Sequence, residues 1–232
     1  MDNHTFSFKR KLHNLTHPIL GYVMMLHRVS EDHVDNHLVV TAGFLERRLD
    51  QYLQEGYDFI GIDQVASRIL SRDKQRFVCF TFDDGYIDTF DLAYPILKEK
   101  QIPFCLYATT DYYRGKKHPS WSGDIPMLNT EQLRQLANDP LCTIGVHTCS
   151  HAHLSTLPVE EQRRELADCK EDLEQLLGRE VKHLAYPYGD YDPNTVQLAQ
   201  QLGFLTATTT SGRPVRSDSR LLELDRVTFT ES

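Results

Sequence analysis

Phe77-Val78-Cys79-Phe80-Thr81-Phe82-Asp83-Asp84-Gly85 decides the fold: six strand-like residues run straight into two carboxylates and a glycine. A short apolar run closed by a turn signal reads as a buried strand. Inside a strand, neighbouring side chains face opposite ways, but at its C-terminal end the chain turns and both carboxylates can reach one site. That rim is where parallel α/β barrels place their catalysis. Two carboxylates this close repel each other unless a cation or a shared proton relieves them. Taken alone, the same residues also read as a surface Asp-Asp-Gly turn.

Outward from this run the pattern repeats. With this run, strands are expected over 21–29, 57–62, 76–82, 104–109, 142–146, 181–186, 204–209 and 221–229. Helical patterns lie between most of them. Thr41 caps one that carries Phe44, Leu45, Leu49, Tyr52 and Leu53 on a stripe, with Gly56 beyond its end. Thr130 is expected to cap another, a third runs from Pro158 to Leu177 and stops at Gly178, and Asp192-Pro193 opens a fourth that Gly203 closes. Alternating strands and helices imply parallel βαβ units, and about eight strands predict an irregular (β/α) barrel. The expected organisation is an N-terminal tail over 1–18 and one domain over 19–232. The longest loop-like stretch, Asp111 to Asn129, holds the only tryptophan, Trp121.

Composition narrows the function classes. At 232 residues the chain has ample length for a core. It carries 25 basic against 33 acidic residues, net −8, with no long basic run, which disfavours a nucleic-acid partner. Cys79, Cys105, Cys142, Cys149 and Cys169 are odd in number and lack CxxC spacing, so they read as reduced thiols. The longest apolar run, Pro18 to Leu26, is too short for a transmembrane segment. It follows Lys9-Arg10-Lys11 but has no small-residue cleavage site, so no secretory signal is read and a cytoplasmic setting is expected.

Two more strand ends carry chemistry. His147-Thr148-Cys149-Ser150-His151 follows the strand ending at Val146, with histidines at i and i+4. On a helical turn that spacing puts both imidazoles on one face, able to chelate one metal ion. Two histidines and a carboxylate leave positions open for water and substrate. With His153 just beyond, a merely histidine-rich loop is the competing reading. Ala185-Tyr186-Pro187-Tyr188-Gly189 closes another strand; it reads as a turn, and a backbone N–H there could serve an oxyanion.

In this order TFDDG (81–85), HTCSH (147–151) and YPYG (186–189) resemble the NodB-type polysaccharide deacetylases, carbohydrate esterase family four. The resemblance spans about Arg76 to Gly203. It implies a distorted, TIM-like (β/α) barrel, the NodB homology domain, with one divalent metal held by Asp84, His147 and His151. It also implies Asp83 as general base and the Tyr188 N–H as oxyanion donor. Zn²⁺ is the default for two imidazoles and one carboxylate, with Fe, Co, Ni or Mn also compatible. The chain departs from the family in two places. Ala185 stands where the family has an arginine that orients the base; Arg226 is a candidate substitute, with a solvated surface arginine as the alternative. The family's last motif, an apolar strand ending in a histidine that acts as acid, is missing near the C-terminus. Gly21 to Val29 is such a strand and contains His27, similar to the circularly permuted branch that includes poly-N-acetylglucosamine deacetylases. A structural histidine at the end of a core strand is the competing reading.

The expected activity is metal-dependent removal of an N-acetyl group from an N-acetylated sugar, polysaccharide or glycoconjugate precursor. A sugar O-acetyl esterase is the rival with the same chemistry, and a silent carbohydrate-binding barrel the rival of a different class. Tyr107, Trp121 and Arg226 are the candidate substrate contacts, with Tyr112 and Tyr113 as further stacking faces.

Overall fold

The structure, a computed structural model, describes residues 16–71 and 75–231. The tail expected over 1–18 falls mostly outside these residues. Strand β1 (Ile19–Leu26) leads through His27 into β2 (Arg28–Ser30), which pairs in parallel with β3 (Val39–Thr41) as a separate small sheet. The continuous strand expected over 21–29 is thus two, broken at His27. Helix α1 (Ala42–Gln54) follows, with the Thr41 hydroxyl accepting from the Phe44 N–H as expected of its N-cap.

Next come β4 (Asp58–Phe59), α2 (Ile62–Ser71), β5 (Phe77–Phe82), α3 (Tyr94–Glu99), β6 (Phe104–Ala108), the single turn α4 (Thr110–Tyr113) and α5 (Thr130–Ala137). The expected strand over 57–62 shrinks to two residues because Ile62 already opens α2. Asn129, not Thr130, caps α5: its side chain accepts from the Glu131 and Gln132 N–H groups while Gln132 reaches back, a reciprocal capping box. The remaining elements are β7 (Cys142–Val146), α6 (Val159–Leu177), β8 (His183–Ala185), α7 (Pro193–Gln201), β9 (Thr206–Thr208), β10 (Val215–Arg216) and β11 (Val227–Thr228). Gly178 ends α6 with φ 65°, and Asp192 caps α7.

Strand order is β10-β1-β5-β6-β7-β8-β9, with β11 beside β1 and β4 beside β5. All pairs are parallel except β1 with β10. The sheet curls, and a single segment joins its two ends. Leu224 pairs with Thr208 on the β9 edge, while Val227 and Thr228 pair with Met24 and Met25 of β1. The Phe229 N–H then donates to the Met25 carbonyl. The expected strand over 221–229 is therefore mostly irregular. Leu221–Glu223 is a 3₁₀ turn, and the rest serves two edges that no straight strand could reach together.

Alternation along β5 separates two cores. Val78, Phe80 and Phe82 face the helices; Phe77 and Cys79 face the curl, where Leu20, Val23, Cys105, Tyr107, Ala185 and Leu224 meet them. Continued with period two, the inward face of β5 passes through Thr81 to Asp83. Space inside is tight: a Cβ at Gly145 would lie 2.4 Å from the Tyr107 ring, so only glycine admits that tyrosine.

Candidate active site

The C-terminal ends of β1, β5, β7 and β8 surround one cavity of about 200 Å³, lined by His27, Asp83, Asp84, His147, His151 and Tyr188. Met25, Leu38, Trp121 and Thr210 complete its wall. Backbone conformation concentrates here. Among the described residues five non-glycines have left-handed φ: Asp84 (72°), Gln101 (55°), Thr148 (63°), His151 (60°) and Tyr188 (60°). Four of the five belong to the three motifs, the clustering expected where geometry is held against local preference.

The left-handed turn at Asp84 lets two neighbouring carboxylates serve one site with different partners. Asp83 continues the inward face of β5 and meets Arg226, which is fully buried. Arg226 binds it with two nitrogens, each at 2.7 Å, places a further bond on Thr81 Oγ1 at 3.0 Å, and gives its Nε–H to the Thr209 carbonyl. Thr81 in turn donates to the Met24 carbonyl, tying this cluster to β1. Burial pushes the Asp83 carboxyl up, but the Arg226 guanidinium, helped by His147, more than offsets it and holds Asp83 below the usual carboxylate range.

Asp84 turns the other way. Its Oδ1 lies 3.4 Å from His147 Nε2 and 3.1 Å from His151 Nε2. Burial again raises this carboxyl, and the two imidazoles outweigh burial and hold it well below its ordinary value. Burial lowers His147, but Asp84 and Asp83 reverse this and leave it raised; for His151 burial prevails and the ring is lowered. The i, i+4 pair does not sit on a helical turn. The loop is irregular, bent by left-handed Thr148 and His151, and the His151 N–H donates to Thr148 Oγ1.

These three residues fit a metal ion. Their ligand atoms lie within 4.8 Å of one another. Ligands about 2.0–2.1 Å from an ion at tetrahedral angles stand about 3.4 Å apart, and at right angles about 2.9 Å. Asp84 Oδ1 is buried without an aligned hydrogen bond, which leaves its lone pairs available to an ion. His147 Nδ1 lies 2.8 Å from the Ala185 carbonyl, which can only accept; the ring proton is therefore on Nδ1 and Nε2 keeps its lone pair for the site. Ala185 thus contributes its backbone where the family has an arginine side chain.

His27 follows Leu26, whose carbonyl accepts the Asp83 N–H at 2.9 Å, so it flanks Asp83. Its Nδ1 is closed off from solvent without a partner, and burial lowers its pKa against the pull of Asp83 and Asp84. Tyr188 is 46% exposed, and Trp121 is 48% exposed. The Trp121 ring stands 5.2 Å from His151 and 6.2 Å from Tyr188, forming one wall of the cavity.

Two expected substrate contacts are corrected. Tyr107 is fully buried inside the curl, with the Arg226 guanidinium 5.6 Å from its ring centre, and offers no face to a sugar. Arg226 is neither a solvated arginine nor a substrate contact; all its reach is spent on Asp83, Thr81 and Thr209. Tyr112 and Tyr113 are largely buried and lie outside the lining of this cavity. Sequence reasoning missed Thr81, Leu38, Thr210 and His153. The His153 ring stacks on Tyr188 at 3.9 Å, and Thr210 Oγ1 donates to the Tyr188 carbonyl. Only Thr81 had a local signal, its place two residues before Asp83 on the same strand face.

The curled α/β sheet and its buried cluster of carboxylates and imidazoles define a class, and comparison with known proteins specifies it. The polysaccharide deacetylase family model matches residues 71–207, and the chain belongs to that family. YxkH of Bacillus subtilis (strain 168), whose name assigns it to the polysaccharide deacetylases, is 27% identical over 208 residues, covering 88% of this chain and 70% of its own. Among solved structures, the Streptococcus pyogenes deacetylase PplD in complex with acetate aligns with a TM-score of 0.80 at 24% identity, over 90% of this chain and 92% of that one. IcaB from Ammonifex degensii aligns with a TM-score of 0.77 at 25% identity, over 92% and 93%.

Proposed function

We propose that this carbohydrate deacetylase is metal-dependent and removes an N-acetyl group from an N-acetylated sugar, polysaccharide or glycoconjugate precursor. The observation that carries the reading is the division of labour between Asp83 and Asp84: one gripped by Arg226, the other turned to two imidazoles. When bound by Asp84, His147 and His151, a divalent ion, Zn²⁺ by its donor set, supplies Lewis-acid polarisation of the acyl carbonyl and of the attacking water.

The chain's own groups supply the rest. Arg226 keeps Asp83 ionised and pointed, so that Asp83 accepts the proton of the attacking water. The Tyr188 N–H, presented by the left-handed turn, donates to the carbonyl oxygen as it gains charge. His27, which flanks Asp83, gives a proton to the departing nitrogen. Trp121, beside Tyr188, offers a face for the sugar ring. The pairing of β1 with β11 supports His27 as the permuted counterpart of the family's C-terminal histidine. An acid beside Asp83 favours amide over ester hydrolysis, since an amine leaves only when protonated.

The test is acetate release from N-acetylglucosamine oligomers by protein loaded with Zn²⁺ and then stripped by chelator. Release that needs the metal is the expected result. Hydrolysis of O-acetylated sugars alone would replace the reading with the esterase one, and no turnover of either would leave a binding barrel.

A further inference from the structure

A second concavity of about 420 Å³ lies beside the site, lined by Tyr112, Tyr113, Gly115, Lys116, Lys117, His118 and the strip 126–129. It is built on the loop that also carries Trp121. The loop is bolted to the metal-site loop at its start: the Thr110 and Asp111 N–H groups donate to the Thr148 and Cys149 carbonyls. It is stitched to the carboxylate turn at its end. The Ile87 N–H donates to the Pro126 carbonyl, and the Leu128 N–H to the Gly85 carbonyl. Tyr112 is the partition, its ring stacked on His151 at 6.1 Å on one side and lining the groove on the other. The groove is thus held in register with the metal ligands from both ends.

Its charge is unusual for a chain of net −8. The Asp111 carbonyl accepts from both the Lys116 and Lys117 N–H groups, a tight loop that presents the two side chains together. Their ammonium groups share one carboxylate, Asp111, at 3.8 and 3.3 Å. Two cations against one anion leave a positive charge on the rim, and both lysines are exposed. The neighbouring Arg114 is engaged with Asp172 and does not add to it. The floor is aromatic and apolar: Tyr112, Tyr113, Met127 and Leu128. A rim of flexible point charges over an apolar floor suits a saccharide bearing a phosphate. Lysine binds phosphate as a point charge, whereas planar, bidentate capture of a carboxylate or a phosphate is the task of arginine.

We propose that this groove is a subsite for a phosphate group carried by the saccharide substrate, one partition away from the deacylation site. The inference rests on the deacetylase reading and narrows its substrate to phosphate-bearing N-acetylated saccharides. Its test uses the intact metal-loaded protein and two N-acetylglucosamine trimers, one plain and one with a 1-phosphate. The phosphorylated trimer should show a KM about tenfold lower at similar kcat. The Lys116→Gln/Lys117→Gln variant should lose that advantage while treating the plain trimer as the parent does, and Lys116→Arg/Lys117→Arg should retain most of it. High salt should erase the preference, as for any exposed charge contact.

Calorimetric binding of the two de-N-acetylated trimers gives a readout without turnover. If neither acetylated trimer is hydrolysed, the deacetylase reading fails, and the calorimetry still decides the groove. Equal affinity for the two trimers, or a preference that survives loss of both lysines, overturns the subsite. A trimer ending in glucuronate that binds as tightly as the phosphorylated one overturns the choice of phosphate.

Discussion

Arg226 reaches Asp83 from 143 residues away and binds both its carboxylate oxygens at 2.7 Å, with neither side chain open to solvent. Ala185 stands where the family arginine would be, so the guanidinium arrives from another segment and the orientation of Asp83 is preserved. Breaking such a pair leaves a buried charge without a partner, at a cost of about 3–5 kcal/mol.

Arg226→Met should therefore lower Tm by roughly 6–20 °C, given about 2–4 °C per kcal/mol for a chain of this size. Bound metal should stay at the parental stoichiometry. Replacing both members, Asp83→Leu with Arg226→Met, should recover much of the lost stability but no activity. Thermal melts of the three variants check this; a double variant less stable than either single would refute the pairing as the source of the loss.

Asp83→Asn should keep metal bound yet lose about 10²–10⁴-fold in turnover, the usual share of acid–base catalysis. Asp84→Asn should instead weaken metal affinity, since its Oδ1 is the atom aimed between the two imidazoles. Elemental analysis beside initial rates separates the two; a reversed pattern would exchange the roles.

Metal removal should lower stability and its return should restore it, by about 2.7 kcal/mol at a free concentration 100 times Kd. His147→Ala/His151→Ala should be insensitive to chelator. Affinity should weaken with acid. The metal needs neutral imidazoles, and His147 is raised above its ordinary 6.5, so protons compete from above that pH downward. A Tm that ignores chelator in the parent protein would count against the site.

His27→Ala should cost on the order of 10²-fold or more with an N-acetyl substrate and much less with an activated aryl acetate, whose leaving group needs no proton. Metal content should remain normal. Equal, small losses on both substrates with a lower Tm would make His27 a structural residue.

Asp88 gives a stability signature outside the Asp84, His147 and His151 cluster. Burial, only partly opposed by its bond to Arg28, raises this carboxyl to about 6. Because the folded state holds the proton more tightly than the unfolded chain, with its value of 3.8, this group's contribution falls as pH rises from about 4 to 6. Asp88→Asn should flatten the pH dependence of unfolding in that window. Denaturant midpoints at pH 4, 5 and 6 test it; an unchanged slope would show that Asp88 titrates normally.

What the sequence made legible was local. Strand ends with their motif residues were readable because an apolar run and the turn after it lie within ten residues. Asp83, Asp84, His147 and His151 follow such ends, and the structure brings them together. The Arg226 link was open from sequence because nothing near Leu224-Asp225-Arg226 says which way the side chain faces. Spacing alone misread His147 and His151 as a helical turn, since two left-handed residues can produce the same convergence. Tyr107 was misassigned because a strand buried on both faces shows no polar alternation to mark its inner side.

The segment from Leu224 to Phe229 joins the two ends of the curled sheet and also carries Arg226. Structural closure and chemical competence are therefore one event in the life of the chain. A partly folded molecule in which the first strands have assembled could gather Asp84 and both histidines, and so capture metal, while Asp83 stays loose and unaligned. With Asp83 as the base, hydrolysis should switch on only when the seam is sewn. Metal uptake and activity should thus appear at different times during refolding, with activity last.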